Sequence, residues 1–342
     1  MIKEKNILTS YNFARNCTKV FVESVTPEQY ELVKTNSSKI INRNQNMIIY
    51  KNVNLELVEN DIIFCHSSFI KELFFHLKTI NNLKNIKIVT SQSDLQIDKK
   101  LYAKKPKCVS QWFSINVNYD HEDLIPIPLG IANNYSPKNI RFNDLINHDE
   151  IKKNKINKIY CNFNPNTNDK ERKSIFNLFR DNGDFIFDLP QLSIQEYIDK
   201  ISKHKYILAP WGNGFDTHRV WEAFYLKSIP IIKRHKTYEF LENSSAIFVN
   251  EFEDFINIKI ENLEDNLKHE DNEFLNIQFW IKKINSNVIE SKEVNEINET
   301  ERMTKFRIFE QKFIYNLQSY RKKIRYYLMK FPRAFAKYFQ NN

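Results

Sequence analysis

Residues 206–233 read YILAPWGNGFDTHRVWEAFYLKSIPIIK. A short apolar run ends in proline, a turn carrying two glycines follows, and an amphipathic run leads to a second apolar stretch around Pro230. The chain holds four glycines in 342 residues, and two of them, Gly212 and Gly214, stand in this turn. Glycine frees the backbone for positive φ and leaves no Cβ between the main chain and a ligand. The pattern predicts a strand over 206–210, a helix with Asp216 as its N-cap, and a strand over 229–233. A helix N-terminus offers free N–H groups and the positive end of a dipole, a natural site for phosphate. Arg219 falls in the first turn and Glu222 three residues later on the same face. A fixed guanidinium there suits a diphosphate, and the carboxylate suits ribose hydroxyls. The competing reading is structural: a capping Asp216 and an i,i+3 ion pair between Arg219 and Glu222.

Working outward, short apolar strands alternate with helical patterns through the second half. KIYCNF (158–163) precedes the helical DKERKSIFNLFR, and FIF (185–187) precedes a helix opened by a capping box of Ser193 with Glu196. AIFVN (246–250) follows a helix around YEFLEN, and a further helix is expected from Asp254. The first half repeats the theme with NMIIY (46–50), DIIFC (61–65), IKIVT (86–90) and LIPIPLG (124–130) as strands and a helix over 67–80. Such alternation means βαβ units and parallel sheets. The expected architecture is α/β, two Rossmann-like domains in tandem. They cover 1–150 and 151–290, joined through the polar segment 136–158 and followed by a basic helical tail over 291–342. Ligands in such folds bind beyond the carboxyl ends of strands, which singles out the loops after Cys65, Thr90, Asn162 and Pro210.

Composition narrows the function classes. An apolar content of 42% is that of an ordinary globular chain, and no run approaches the ~18 apolar residues of a membrane span. The first residues lack the apolar core of a secretory signal. Cys17, Cys65, Cys108 and Cys161 lie far from any metal or redox spacing, and Cys65 and Cys161 sit in apolar runs, so a reducing cytosolic setting is expected. The net charge of +9 resides in the last 42 residues, with eleven Lys/Arg against two acidic residues. The remaining 300 residues hold 40 basic and 40 acidic residues, which argues against a nucleic-acid footprint on the body. In the tail, Phe306, Phe309, Phe313, Leu317, Tyr320 and Ile324 recur at helical spacing until Pro332. That stripe either packs on the body or lies on an anionic leaflet, the expected surface being 306–340.

The glycine turn is not a dinucleotide fingerprint, because Thr217 stands where the third glycine belongs, and no P-loop occurs. Pro210, Gly212, Asn213, Gly214, Asp216, Thr217, His218, Arg219, Trp221, Glu222, Ala223 and Pro230 instead resemble, in register, the donor-binding segment of exostosin-like GT-B glycosyltransferases. The resemblance covers this segment and departs at Lys227-Ser228, where the family has a small or glycine-containing turn. Two weaker stretches accord with it. NFNPNTNDKER (162–172) brings Arg172 to a helix start, where similar enzymes direct a basic residue at donor phosphates. Segment 111–134 resembles related bacterial and viral sugar transferases through Trp-Phe-x-x-Asn and Ile-Pro-x-Gly-Ile.

The resemblance implies a GT-B enzyme that moves a sugar from a nucleotide-sugar donor to a hydroxyl of a glycan or lipid-linked acceptor. The implied donor-binding residues are Arg172, Gly212, Asn213, Gly214, Asp216, Thr217, His218, Arg219 and Glu222. The sequence has no Asp-x-Asp motif and no metal-ligand spacing among its histidines, so no metal and no cofactor beyond the donor is expected. The catalytic base should come from the first domain: Asp94, preferred because the resemblance suggests an acidic residue on such a loop, or His66. A single base on the far face implies inversion. The expected location is cytoplasmic, peripheral at the inner face of a membrane. The alternative is a non-enzymatic Rossmann-like nucleotide or nucleic-acid binder using the basic tail. A methyltransferase needs its glycine turn after the first strand, whereas this one follows a late strand.

Overall fold

The computed structural model describes residues 3–320 apart from 147–153, 190, 258–259, 261–262, 264–271, 287–293, 314–316 and 318–319. The first half runs α1 (Ser10–Arg15), β1 (Lys19–Val25), α2 (Pro27–Val33), β2 (Ser38–Arg43), β3 (Ile48–Asn52), β4 (Asn54–Val58) and β5 (Ile62–His66). It continues α3 (Ile70–Lys78), β6 (Ile86–Ser91), β7 (Ile97–Asp98), α4 (Lys99–Tyr102), β8 (Val109–Ser114), β9 (Val117–Asn118) and β10 (Leu124–Pro126). Seven strands join in the order β10-β8-β6-β5-β1-β3-β2, the first five parallel and the β2–β3 hairpin antiparallel. The expected strand at 46–50 is therefore present, but as one arm of that hairpin and not in a βαβ unit. The inner strand β1 lay outside the sequence reading. Its buried Glu23 interrupts the apolar run and is accommodated by Arg15 and by the Tyr50 hydroxyl at 2.9 Å.

The second half holds α5 (Phe142–Ile146), β11 (Ile156–Cys161), α6 (Asp169–Phe179), β12 (Phe185–Phe187), α7 (Ile194–Lys203) and β13 (His204–Leu208). It then runs α8 (His218–Tyr225), β14 (Ile229–Lys233), β15 (Ile247–Val249), α9 (Ile277–Asn285) and β16 (Val294–Asn298). Strands β12-β11-β13-β14-β15 form an all-parallel sheet, each at a position read from the sequence. Their apolar runs are continuous because helices cover both faces of such a sheet. The capping box of Ser193 with Glu196 opens α7 as expected. The helices expected around Tyr238 and Asp254 are 3-10 segments, Lys236–Leu241 and Phe252–Asn257. Both sheets with their helices are compatible with a Rossmann-like α/β fold, and no helix among the described residues is long and apolar enough to cross a membrane.

One apolar cluster runs through both halves. It joins Leu8, Phe13, Phe64 and Phe113 to Ala209, Trp221, Phe224 and Ile232, and α9 adds Ile277, Trp280 and Ile284. The buried Lys87 of β6 donates to the carbonyl of Ile284 at 2.6 Å and to that of Ser286, at the end of α9, where the helix dipole favours a cation. The chain then returns to the first half, since β16 pairs antiparallel with β4. The tail thus opens with a strand, which corrects the expectation of a purely helical 291–342. Helix resumes over 301–313. The polar segment 136–158 holds α5 and the start of β11, and its residues 147–153 lie outside the described residues.

A buried charge network fixes this return. Glu299 accepts from Lys51 Nζ and His76 Nε2, both at 2.8 Å, and from Thr304 Oγ1 at 3.1 Å. Lys51 also reaches Glu72 at 2.8 Å, and Arg307 meets the same carboxylate at 3.2 Å. Glu72, His76 and Glu299 converge with one ligand atom each, but the Lys51 ammonium already supplies the positive charge between the two carboxylates.

At the end of α8 the turn that departs from the family pattern explains itself. Lys227 has φ 59°, and the amides of Lys227 and Ser228 bond back to the carbonyls of Phe224 and Ala223. This is a Schellman motif with lysine in the left-handed position that glycine usually fills. Lys227→Gly should stabilise the protein by on the order of 1 kcal/mol, read from urea denaturation. A second prediction concerns Glu299. Burial would raise its carboxyl, but the hydrogen bonds and charge of His76 and Lys51 outweigh that and hold it down at about 2. A depressed carboxylate stabilises above its unfolded pKa and loses that contribution as pH falls through about 2. Glu299→Gln should cost about 3 kcal/mol at neutral pH and flatten the acid limb of a stability–pH profile.

Candidate functional site

The carboxyl ends of both sheets meet at a cavity of about 600 Å³, a size that suits a small organic ligand. On the second sheet the strand order changes direction between β11 and β13, and the loops after these two strands line the cavity. That is the topological switch point at which open α/β sheets bind ligands. The loop after β11 brings Asn162 and Thr167, with Arg172 following on α6, and the loop after β13 brings Gly212, Asn213 and Gly214. The first sheet contributes Asp94 after β6, Asn116 after β8 and Leu129 after β10.

Within the turn, the Gly212 amide donates to the Gly214 carbonyl at 3.1 Å. Neither glycine has a positive φ, so left-handed freedom is not why they stand there. At Gly214 the reason is room, since a Cβ would lie 2.7 Å from Oδ1 of Asn116. Asn116 itself has φ 54° and ties three loops together. Its Nδ2 donates to the Ser93 carbonyl at 3.3 Å, and its Oδ1 accepts from the Asp216 amide at 2.9 Å. Gln92 (φ 72°) and Asn168 (φ 52°) are further left-handed residues in loops at these strand ends, and such conformations cluster where a site constrains the backbone.

Asp216 is not the cap of α8. Thr217 occupies that position and makes no capping hydrogen bond, while the Asp216 side chain turns inward. Its Oδ2 accepts the amide of Leu129, from the first sheet, at 2.8 Å, and Oδ1 accepts Trp221 Nε1 at 2.9 Å. Burial raises its carboxyl to about 7 against the pull of these donors. The neighbouring His218 is held the same way, its Nδ1 donating to the Gly130 carbonyl at 2.7 Å.

Arg172 and Arg219 bring positive charge to the cavity beside Lys138. Arg172 is buried beneath the turn, with Nε donating to the Trp211 carbonyl at 2.7 Å and Nη2 to that of Pro210 at 3.1 Å. Burial, and then the charge of Arg219, bring its pKa down to about 9, so it remains a cation at neutral pH. Arg219 has a buried Nε with no hydrogen-bond partner. Among the described residues it forms no ion pair, which disposes of the structural reading of Arg219 with Glu222. Glu222 instead accepts from the Tyr197 hydroxyl at 2.9 Å. A buried guanidinium, Arg172, beside the half-buried Arg219 with its orphaned Nε donor is suited to an anionic ligand.

All the residues expected from the sequence line this cavity except His66. Asp94 is exposed on the first-sheet loop, while Thr217, His218, Arg219 and Glu222 come from the second. His66 is buried away from it. Its Nδ1 accepts the Ser68 amide at 3.3 Å, its ring meets the edge of Phe69, and burial lowers its pKa to about 4. It is a cap, which corrects its candidacy as a base. Sequence reasoning missed Tyr197, Tyr135 and Lys138 as lining residues. Asn116 and Gly130 stood in the Trp-Phe-x-x-Asn and Ile-Pro-x-Gly-Ile patterns, whose fixed spacing was the available signal.

No protein-family model matches this chain, and neither does any curated protein. The geometry makes its own prediction. Gly214→Ala forces a Cβ onto the bonded Asn116 amide and should cost about 1–3 kcal/mol by chemical denaturation. At Gly212 the nearest atom to a new Cβ is the end of the Arg172 side chain at 3.4 Å, so Gly212→Ala should cost less than about 1 kcal/mol.

Proposed function

We propose that the protein is a glycosyltransferase that uses a nucleotide-sugar donor and transfers its sugar to a hydroxyl of a glycan or lipid-linked acceptor. One observation carries the reading: the buried, unpartnered Arg219 Nε stands beside Arg172 in a cavity at the strand-order switch point. The arrangement of two α/β sheets facing one cavity with their carboxyl ends supports a GT-B architecture. So does the sequence pattern from Pro210 to Pro230.

In this reading the donor's diphosphate lies against the first turn of α8, between Arg219 and Arg172. Glu222, oriented by Tyr197, accepts hydrogen bonds from the ribose. Asp94, on the first-sheet loop, takes the proton of the acceptor hydroxyl as that oxygen attacks the anomeric carbon. The bond from the anomeric carbon to the phosphate oxygen breaks with its electron pair leaving on the diphosphate. The two guanidiniums and the helix N-terminus stabilise that developing charge. Attack from the Asp94 side, opposite the leaving group, inverts the anomeric configuration. A cytoplasmic location, where nucleotide sugars are consumed, goes with the same reading.

Nucleoside diphosphates should raise the melting temperature and bind by calorimetry, and Arg219→Ala should abolish both. Asp94→Asn should keep binding and lose transfer by on the order of 10²–10⁴-fold, and the product anomer seen by NMR should be inverted. Unchanged diphosphate affinity in Arg219→Ala would overturn the donor site, and a retained anomer would overturn the role given to Asp94.

A further inference from the structure

The helix over 301–313 has two faces with opposite fates. One is fastened to the body: Thr304 is buried on Glu299, Arg307 pairs with Glu72, and Ile308 packs against the first-sheet core. The other carries Phe306, Phe309 and Phe313, which are 67%, 68% and 57% exposed, and Leu317 and Tyr320 continue the stripe in exposed positions. Their spacing of three and four residues places them along one side of a helix. Beside them Phe75 of α3 is half-exposed, with the Arg307 guanidinium 5.0 Å over its ring. A row of large aromatics held outward by a buried ion-pair network is not the profile of a solvated helix.

The charge around this row identifies its occupant. On the helix, Arg302 and Lys312 stand with Glu310, and Lys305 pairs with Glu301 at 2.7 Å. In the sequence that follows, residues 321–342, which lie outside the described residues, hold seven Lys/Arg and no acidic residue. Residues 1–300 are neutral overall. A second copy of the chain would set one basic tail against another. An anionic phospholipid surface offers complementary charge for the lysines and arginines and an apolar layer for the rings. The aromatic row is a single face of a helix, which suits a helix lying in the plane of the headgroups.

We infer that the Phe306–Phe309–Phe313 face, with Phe75 and the basic residues around it, docks the protein on an anionic bilayer. The docking is independent of the chemistry of the cavity, and it leaves the fastened face of the helix as the rigid link between membrane and body. The test is flotation of the full chain with vesicles of phosphatidylcholine alone or mixed with phosphatidylglycerol. The protein should float with the anionic vesicles, remain behind with neutral ones, and detach at high salt. The combined Phe306→Ser, Phe309→Ser and Phe313→Ser variant should lose about tenfold or more of this binding with its melting temperature unchanged. Absence of flotation on anionic vesicles overturns the inference, as does equal flotation of the variant. Sedimentation in which the wild type is dimeric and the variant monomeric also overturns it, because the face is then a self-association surface. Should the variant not fold, the contrast between anionic and neutral vesicles with the wild type decides the matter.

Discussion

The carboxylate of Asp216 is the constraint on which the site depends. It takes one hydrogen bond from the main chain of the first sheet's Leu129 and one from Trp221 of α8, while its amide bonds to Asn116. The glycine turn of the second sheet is thereby set by loops of the first, and Gly214 has no Cβ because Asn116 needs the space. A buried carboxylate raised to about 7 is costly to keep charged, and such a group is retained only where its donors are fixed. The continuous apolar cluster under α8 and α9 holds those donors in place. Arg219 and Arg172 then project from a frame that neither half makes alone.

The distribution of buried cations gives that frame its meaning. This lysine-rich chain places several cations inside and satisfies them. Lys51 lies between two carboxylates, and Lys87 sits on the carbonyls at the end of α9. Lys155, lowered to about 8 by burial, bonds the carbonyls of Ser202 and Leu226 at the ends of α7 and α8. Each of these neutralises carbonyl dipoles or carboxylates that folding would otherwise strand. Arg219 is the contrast, a buried guanidinium nitrogen left without an acceptor inside the strand-end cavity. Arg15 also has an unpartnered Nε but is paired with Glu23. Among the described residues it is therefore the lack of any ion pair that sets Arg219 apart, and in the proposed function that charge is met by the donor.

How much of this was legible depended on the physical signal each element emits. The strands β11 to β15 were readable because a parallel sheet covered on both faces writes uninterrupted apolar runs. Strands β1 and β8 were not, since Glu23 and Ser24 in one and Ser110 and Gln111 in the other break the run while their partners lie far off in sequence. The cavity residues of the second sheet followed from local pattern, because one turn and one helix carry most of them. Direction was illegible: residue type suggested that Asp216 would cap α8, whereas its partner is an amide 87 residues away. The case of His66 is similar, as the end of a strand marks a place near a cavity but not which way a side chain turns. The return of β16 to β4 escaped for the reason that long-range antiparallel pairing leaves no local trace.

In the proposed function the cavity receives a diphosphate through Arg219, Arg172 and the first turn of α8. A crystal structure of the protein soaked with a nucleoside diphosphate tests this most directly. Phosphate density is expected within hydrogen-bond reach of Arg219 Nε, with the ribose near Glu222. Diphosphate bound away from both arginines, with Arg219 Nε still unpartnered beside an occupied site elsewhere, would contradict it.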